Sequence, residues 1–95
     1  MLAMTYRGPY RVRLDHKPMP VIEHPRDAIV RVTRSCICGS DLHLYHGLVP
    51  DTRVGQTFGH EFVGIIEEVG PDVHTHKAGD RVLVTFNISC GECYF

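Results

Sequence analysis

Thiol, imidazole and carboxylate side chains crowd two short stretches of this chain. Cys38-Gly39-Ser40-Asp41-Leu42-His43 carries a thiol, a hydroxyl, a carboxylate and an imidazole in one run, and Gly59-His60-Glu61 sets an imidazole beside a carboxylate. These are the donor types of a catalytic zinc, which keeps one coordination position open for water or substrate. Cys38 and His60 are far apart in sequence, so they meet only if the fold brings two strand ends together. The opposing reading is a buried Cys packed as a small hydrophobe and a His held by a hydrogen bond. Residue types and spacing leave both readings open.

Other patterns narrow the chemistry. His60-Glu61 is not the start of a zincin motif, because Gly64 stands where the second His is needed, inside a strand-like run. Cys90-Gly91-Glu92-Cys93 has the spacing of half a tetrahedral thiolate site. A thioredoxin-type redox pair shares that spacing but belongs at a helix start in a βαβ setting, which the sequence does not offer. Cys36 is expected to pack beneath a strand. His74 and His76 sit in a turn-rich stretch and are expected in solvent, as is Arg53, while His16, His24 and His46 show no partner pattern.

The elements that must position these residues are short and β-like. Tyr10–Leu14 and the second half of Ala28–Arg34 alternate apolar and charged residues, as strands with one buried face do. Phe62–Val69 is rich in β-branched residues and stops at Gly70-Pro71-Asp72. Arg81–Phe86 follows the turn Ala78-Gly79-Asp80. Gly64 predicts a bulge or a close backbone approach. Ser40–Gly47 reads as a helix of one or two turns, capped at its start and closed by Gly, with Ser40 and His43 on one face. The spacing predicts a mostly β, barrel-like domain. No Gly-x-Gly pair occurs, so the chain has no dinucleotide fingerprint.

Composition sets outer limits. Ninety-five residues, 43% hydrophobic and 22% charged, describe one small domain or part of one. A net charge of −1 gives no electrostatic reason to expect nucleic acid or an anionic membrane surface. No apolar run approaches the roughly 20 residues of a spanning helix, and the first residues lack a signal-peptide pattern. The expected compartment is the cytoplasm.

Taken in order, Cys38–His43, Gly59-His60-Glu61-Phe62-Val63-Gly64, Gly79-Asp80-Arg81-Val82 and Cys90-Gly91-Glu92-Cys93 resemble the zinc-dependent alcohol dehydrogenases of the medium-chain dehydrogenase/reductase family. The resemblance covers about Val12 to Phe95. It implies a GroES-like, partly open β-barrel, incomplete at its C-terminus, with short helical segments. Residues 1–95 are then expected to form the N-terminal catalytic-domain part of a dehydrogenase, truncated before its nucleotide-binding domain. Position by position, it implies Cys38 and His60 as catalytic-zinc ligands and Glu61 as an adjacent carboxylate able to reach the metal. Asp41 is implied as the group that orients the ligand His, Ser40 as the hydroxyl that receives the alcohol proton, and His43 as the relay. Cys90 and Cys93 match the first two thiolates of a structural zinc, the next falling directly after Phe95.

The implied reaction is oxidation of a small-molecule alcohol to an aldehyde or ketone, with Zn2+ as Lewis acid and hydride passing to NAD or NADP. The nucleotide site is not in this chain, so the chain alone is expected not to turn over. The alternative is a non-catalytic zinc-binding GroES-like module, and a further one is a thiol redox protein using Cys90 and Cys93. Edge strands and the apolar end Tyr94-Phe95 predict self-association into a dimer or larger assembly.

Overall fold

The computed structural model describes residues 1–94; Phe95, the end of the expected domain and of its apolar terminus, lies outside them. Five strands and one helix follow in the order β1 (Leu2–Gly8), β2 (Arg11–His16), β3 (Ala28–Ser35), α1 (Gly39–Tyr45), β4 (Phe62–Val69) and β5 (Arg81–Val84). β1 and β2 form an antiparallel hairpin, and β3-β4-β5 form a three-stranded antiparallel sheet. The described residues are therefore mostly β with one seven-residue helix, and their sheets stay open rather than closing into a barrel. No described helix is long and apolar enough to cross a membrane.

β4 and α1 fall where the sequence places them, within a residue or two. β1 is an addition: the opening residues carry no strand signal beyond their apolar character, yet they supply most of the small core. Ala3, Thr5, Tyr6 and Ile66 are buried, with Thr5 only 1% exposed. Segment 55–58 runs along β1, with the Tyr6 N–H donating to the Gln56 carbonyl at 2.9 Å and the Phe58 N–H to the Met4 carbonyl at 2.9 Å. This strand-like docking carries the chain directly to His60.

The half-buried β2 expected from its alternation is corrected. Val12 and Leu14 remain 44% and 57% exposed, because among the described residues β2 belongs to a two-stranded sheet with β1 as its one strand partner. The charged residues of β2 are the ones engaged. Asp15 accepts from the Thr5 hydroxyl at 2.5 Å and from Arg13 Nε at 2.5 Å, and it also pairs with Arg7. The Thr5 hydroxyl first, then Arg13 and Arg7, hold the Asp15 carboxyl well below the usual carboxylate range, against an opposing desolvation effect. A carboxylate so depressed contributes full stability above its unfolded value of about 4 and loses it as pH falls further. Urea midpoints measured from pH 7 down to pH 2 should therefore fall more steeply below about pH 4 in the wild type than in Asp15→Asn. Parallel profiles would remove Asp15 as an acid-sensitive staple.

Two glycines serve the site's frame. Gly47 ends α1 at φ +74°, and a Cβ there would lie 2.7 Å from the Pro9 ring. The helix end therefore packs on the β1–β2 turn, where the Tyr10 N–H also donates to the Tyr45 carbonyl at 2.7 Å. Gly64 satisfies the sequence expectation of a close approach. A Cβ there would lie 2.5 Å from the Arg31 carbonyl oxygen, beside a register shift between Val32 and Arg34.

Candidate metal centre

The β3–β4 ladder ends on the pair Ser35↔Phe62. In an antiparallel pair the chain leaving one strand faces the chain entering the other, so residues 36–38 come out opposite residues 59–61. That topology, rather than any local spacing, brings the two sequence stretches together. The donor atoms of Cys38, His60 and Glu61 lie within 4.8 Å of one another, and each residue is half-buried. Among the described residues it is the one group of three or more Cys, His, Asp or Glu side chains gathered in this way.

Cys38 immediately precedes α1, in extended conformation. Asp41, one turn in, accepts from the Cys38 backbone N–H at 2.9 Å through Oδ2, the side-chain bond that fixes a helix start. Its other oxygen, Oδ1, is buried with no hydrogen-bond partner and lies 3.6 Å from His60 Nδ1. That separation is an ionic contact rather than a hydrogen bond. Asp41 is 8% exposed, so its charge is held at the inner wall of the group.

The two neighbouring thiols are driven in opposite directions. The Ser40 backbone N–H first, then the His60 imidazole and the Ser40 hydroxyl, lower the Cys38 thiol from its ordinary value. The same Cys38 contact raises His60. Local desolvation, then the Glu61 charge, push the Cys36 thiol up. A ligand must be a thiolate, and Cys38 is the one prepared for it.

The remaining expected site residues fall in two places. Ser40 Oγ lies 3.8 Å from Cys38 Sγ. Ser40 and His43 share the wall of a cavity of about 310 Å3 with Leu44, Leu48 and Val49. Cys90 and Cys93 stand apart in the loop after β5, where the Cys93 N–H donates to Cys90 Sγ at 3.3 Å and Arg26 donates to the Cys90 carbonyl at 2.9 Å. The Glu92 backbone N–H first, then Cys93, lower Cys90 to about 7. The pair lies at no helix start among the described residues, unlike a thioredoxin-type motif.

Two neighbours of the group were not legible in the sequence. Phe86 sets its ring edge-on to His60, centroids 6.5 Å apart; the strand-like run reaching Phe86 was the one signal available. Cys36 does not pack beneath the strand as expected. It is exposed, with Sγ 3.7 Å from Glu61 Oε2, because it is the first residue past the end of the ladder.

Residues 24–95 match the family described as the alcohol dehydrogenase GroES-like domain. Over its whole length the chain is 50% identical to the zinc-type alcohol dehydrogenase-like protein AdhB of Bacillus subtilis (strain 168), of which it covers 25%. Zinc dependent alcohol dehydrogenase 2 of Streptococcus pneumonia, in its apo form, superposes with a TM-score of 0.93 at 45% identity, over 99% of this chain and 27% of that one. Alcohol dehydrogenase TADH of Thermus sp. ATN1 does so with a TM-score of 0.92 at 45% identity, over 99% and 27% respectively. The chain thus spans about a quarter of the length of these relatives. With a mostly β fold, open sheets and a matching sequence over most of its residues, this chain belongs to the alcohol dehydrogenase GroES-like domain family.

Proposed function

We propose that this chain holds the catalytic zinc and the proton route of an oxidoreductase that converts a small-molecule alcohol to an aldehyde or ketone with NAD or NADP. The observation that carries this reading is the convergence of the Cys38, His60 and Glu61 donor atoms within 4.8 Å. Sulfur, nitrogen and oxygen donors in one half-buried group suit a catalytic Zn2+. Asp41 supplies an independent fit: a buried, unpartnered carboxylate oxygen beside His60 Nδ1 is the acceptor a ligating imidazole needs for its other N–H. His60 Nε2 is then the nitrogen left for the metal.

A bound Zn2+ supplies Lewis acidity, which lowers the pKa of an alcohol oxygen. Ser40 Oγ, beside Cys38, would accept the alcohol proton while giving up its own hydroxyl proton, and His43 on the same cavity wall would take that proton outward. Imidazole suits the relay because its charge changes near neutral pH. Both side chains are exposed, so the proton reaches water without crossing the core. Cys90 and Cys93 contribute two thiolates to a structural zinc. The dinucleotide belongs to the part of the enzyme that this quarter of the relatives' length does not cover. The cytoplasm is the compartment in which such thiols stay reduced.

In a longer enzyme carrying this chain, Ser40→Ala is expected to lower kcat for alcohol-dependent NAD(P)H formation by about 10²–10⁴-fold, with KM little changed. An unchanged kcat would remove the proton route. The 95-residue chain alone should form no NAD(P)H, and alcohol-dependent turnover by it would contradict the reading.

Copies of the chain are further proposed to associate through apolar side chains on and after the edge strand β5. Leu83, Phe86 and Ile88 are 73%, 62% and 100% exposed there. Sedimentation at micromolar concentration should show dimers or larger species; a folded monomer throughout that range rules association out.

A further inference from the structure

We propose that Cys36 is a positioning residue for Glu61: its thiol donates to Glu61 Oε2 and holds the carboxylate within reach of Cys38 and His60. The proposal rests on the metal-centre reading above and adds a residue to it. Cys36 Sγ lies 3.7 Å from Glu61 Oε2 and 4.0 Å from the Glu61 carbonyl oxygen, so the thiol spans both the side chain and the backbone of that residue. Among the described residues it is the one hydrogen-bond donor to the Glu61 carboxylate.

The contact follows from the fold. Ser35 and Phe62 are the last pair of the β3–β4 ladder, so Cys36 and Glu61 are the next residues to face each other. A glutamate has several rotatable bonds and pays for being held, and at a chain splay no ladder bond holds it. Groups beyond the ligands that accept from or donate to them fix their orientation and are worth about 10–100-fold in metal affinity. Asp41 is placed to do this for His60 from one side of the group, its Oδ1 facing Nδ1 at 3.6 Å. Cys36 does it for Glu61 from the other. Cys38, whose sulfur belongs to the donor set, is left as the ligating thiol.

The test titrates Co2+ into the metal-free 95-residue chain carrying Cys90→Ser and Cys93→Ser, the parent of every variant below, and reads both its affinity and its sulfur-to-metal charge-transfer absorption. Cys36→Ala is expected to weaken Co2+ binding about tenfold and to leave the charge-transfer intensity per bound ion unchanged. Cys36→Ser, which keeps a donor, is expected to restore affinity to within about threefold. On a Glu61→Ala background, Cys36→Ala should cost nothing further, because the side-chain acceptor is gone. Affinity unchanged in Cys36→Ala overturns the proposal, and so does an equal loss on both backgrounds. A drop in charge-transfer intensity overturns it too, since Cys36 would then be a ligand. If that parent shows no charge-transfer band with Co2+, the metal centre itself fails, which separates that failure from one confined to Cys36. Urea midpoints of the variants, expected to match the wild type because Cys36 is exposed, exclude a loss of fold.

Discussion

Replacing His60 by alanine should lower the affinity of the chain for Zn2+ by more than about 100-fold, beyond what the loss of an outer-shell partner costs. His60 is the one nitrogen donor of the group and the residue that links its two halves. It contacts Cys38, whose thiol it helps to lower, and faces the buried Asp41 oxygen at 3.6 Å. Its loss leaves one sulfur and one carboxylate, a pair that keeps a metal largely hydrated. It also leaves the Asp41 carboxylate buried without a counter-charge, so the metal-free variant should be less stable as well. Competition against a chromogenic chelator measures the affinity, and thermal unfolding with and without Zn2+ measures the linkage. Wild-type chain bound to Zn2+ is stabilised in proportion to the logarithm of free metal. The His60→Ala variant should show no such shift at equal metal. Retention of affinity within a few-fold would mean that Zn2+ binds elsewhere, with the Cys90–Cys93 pair the next place to look.

Glycine-to-alanine changes at Gly64 and Gly70 should be the most destabilising single-atom additions in the chain. A Cβ on Gly70 would lie 2.2 Å from the Pro25 carbonyl oxygen and 2.6 Å from its carbon, both backbone atoms. The clash cannot be relieved by a rotamer. Two hydrogen bonds run through the same place: the Gly70 N–H donates to the Asp27 carbonyl at 2.7 Å and the Asp72 N–H to the Pro25 carbonyl at 2.9 Å. At Gly64 the overlap falls on the Arg31 carbonyl, in the ladder that leads to the candidate metal centre. Overpacking of this kind costs about 1–3 kcal/mol or more, a large share of the stability of a domain with so small a buried core. Urea midpoints should fall for both variants, while Gly55→Ala, with nothing within 4 Å but a φ of +92°, should cost less. For Gly64→Ala, Zn2+ affinity should fall together with stability, because the splay that joins Cys36 and Cys38 to Glu61 begins at the end of that ladder. A normal midpoint in Gly70→Ala would show that the β3 entry gives way more easily than its hydrogen bonds suggest.

What could be read from the sequence were the features carried by neighbouring residues. The run from Phe62 to Val69, closed by Gly70-Pro71-Asp72, was legible as a strand because β-branched side chains and a turn signal act within a few positions. The helix at Ser40 was legible for the same reason, with Asp41 tying its start and Gly47 closing its end. The donor types were also present as written, since Cys38 and His60-Glu61 need no fold to be recognised as possible ligands, and their resemblance to a dehydrogenase family rested on motifs in order along the chain. Which of these side chains meet was decided only by the tertiary structure. The ladder's last pair, Ser35↔Phe62, sets Cys36 and Cys38 against Glu61 and His60 across some twenty-five residues of sequence. No periodicity encodes that meeting, because it depends on the register of two strands and not on either one alone. The same holds for burial. Alternation in β2 promised a covered face, but a strand's pattern states which side could be buried, and only packing against another element decides whether it is. β1, without a pattern, forms the core because segment 55–58 docks along it.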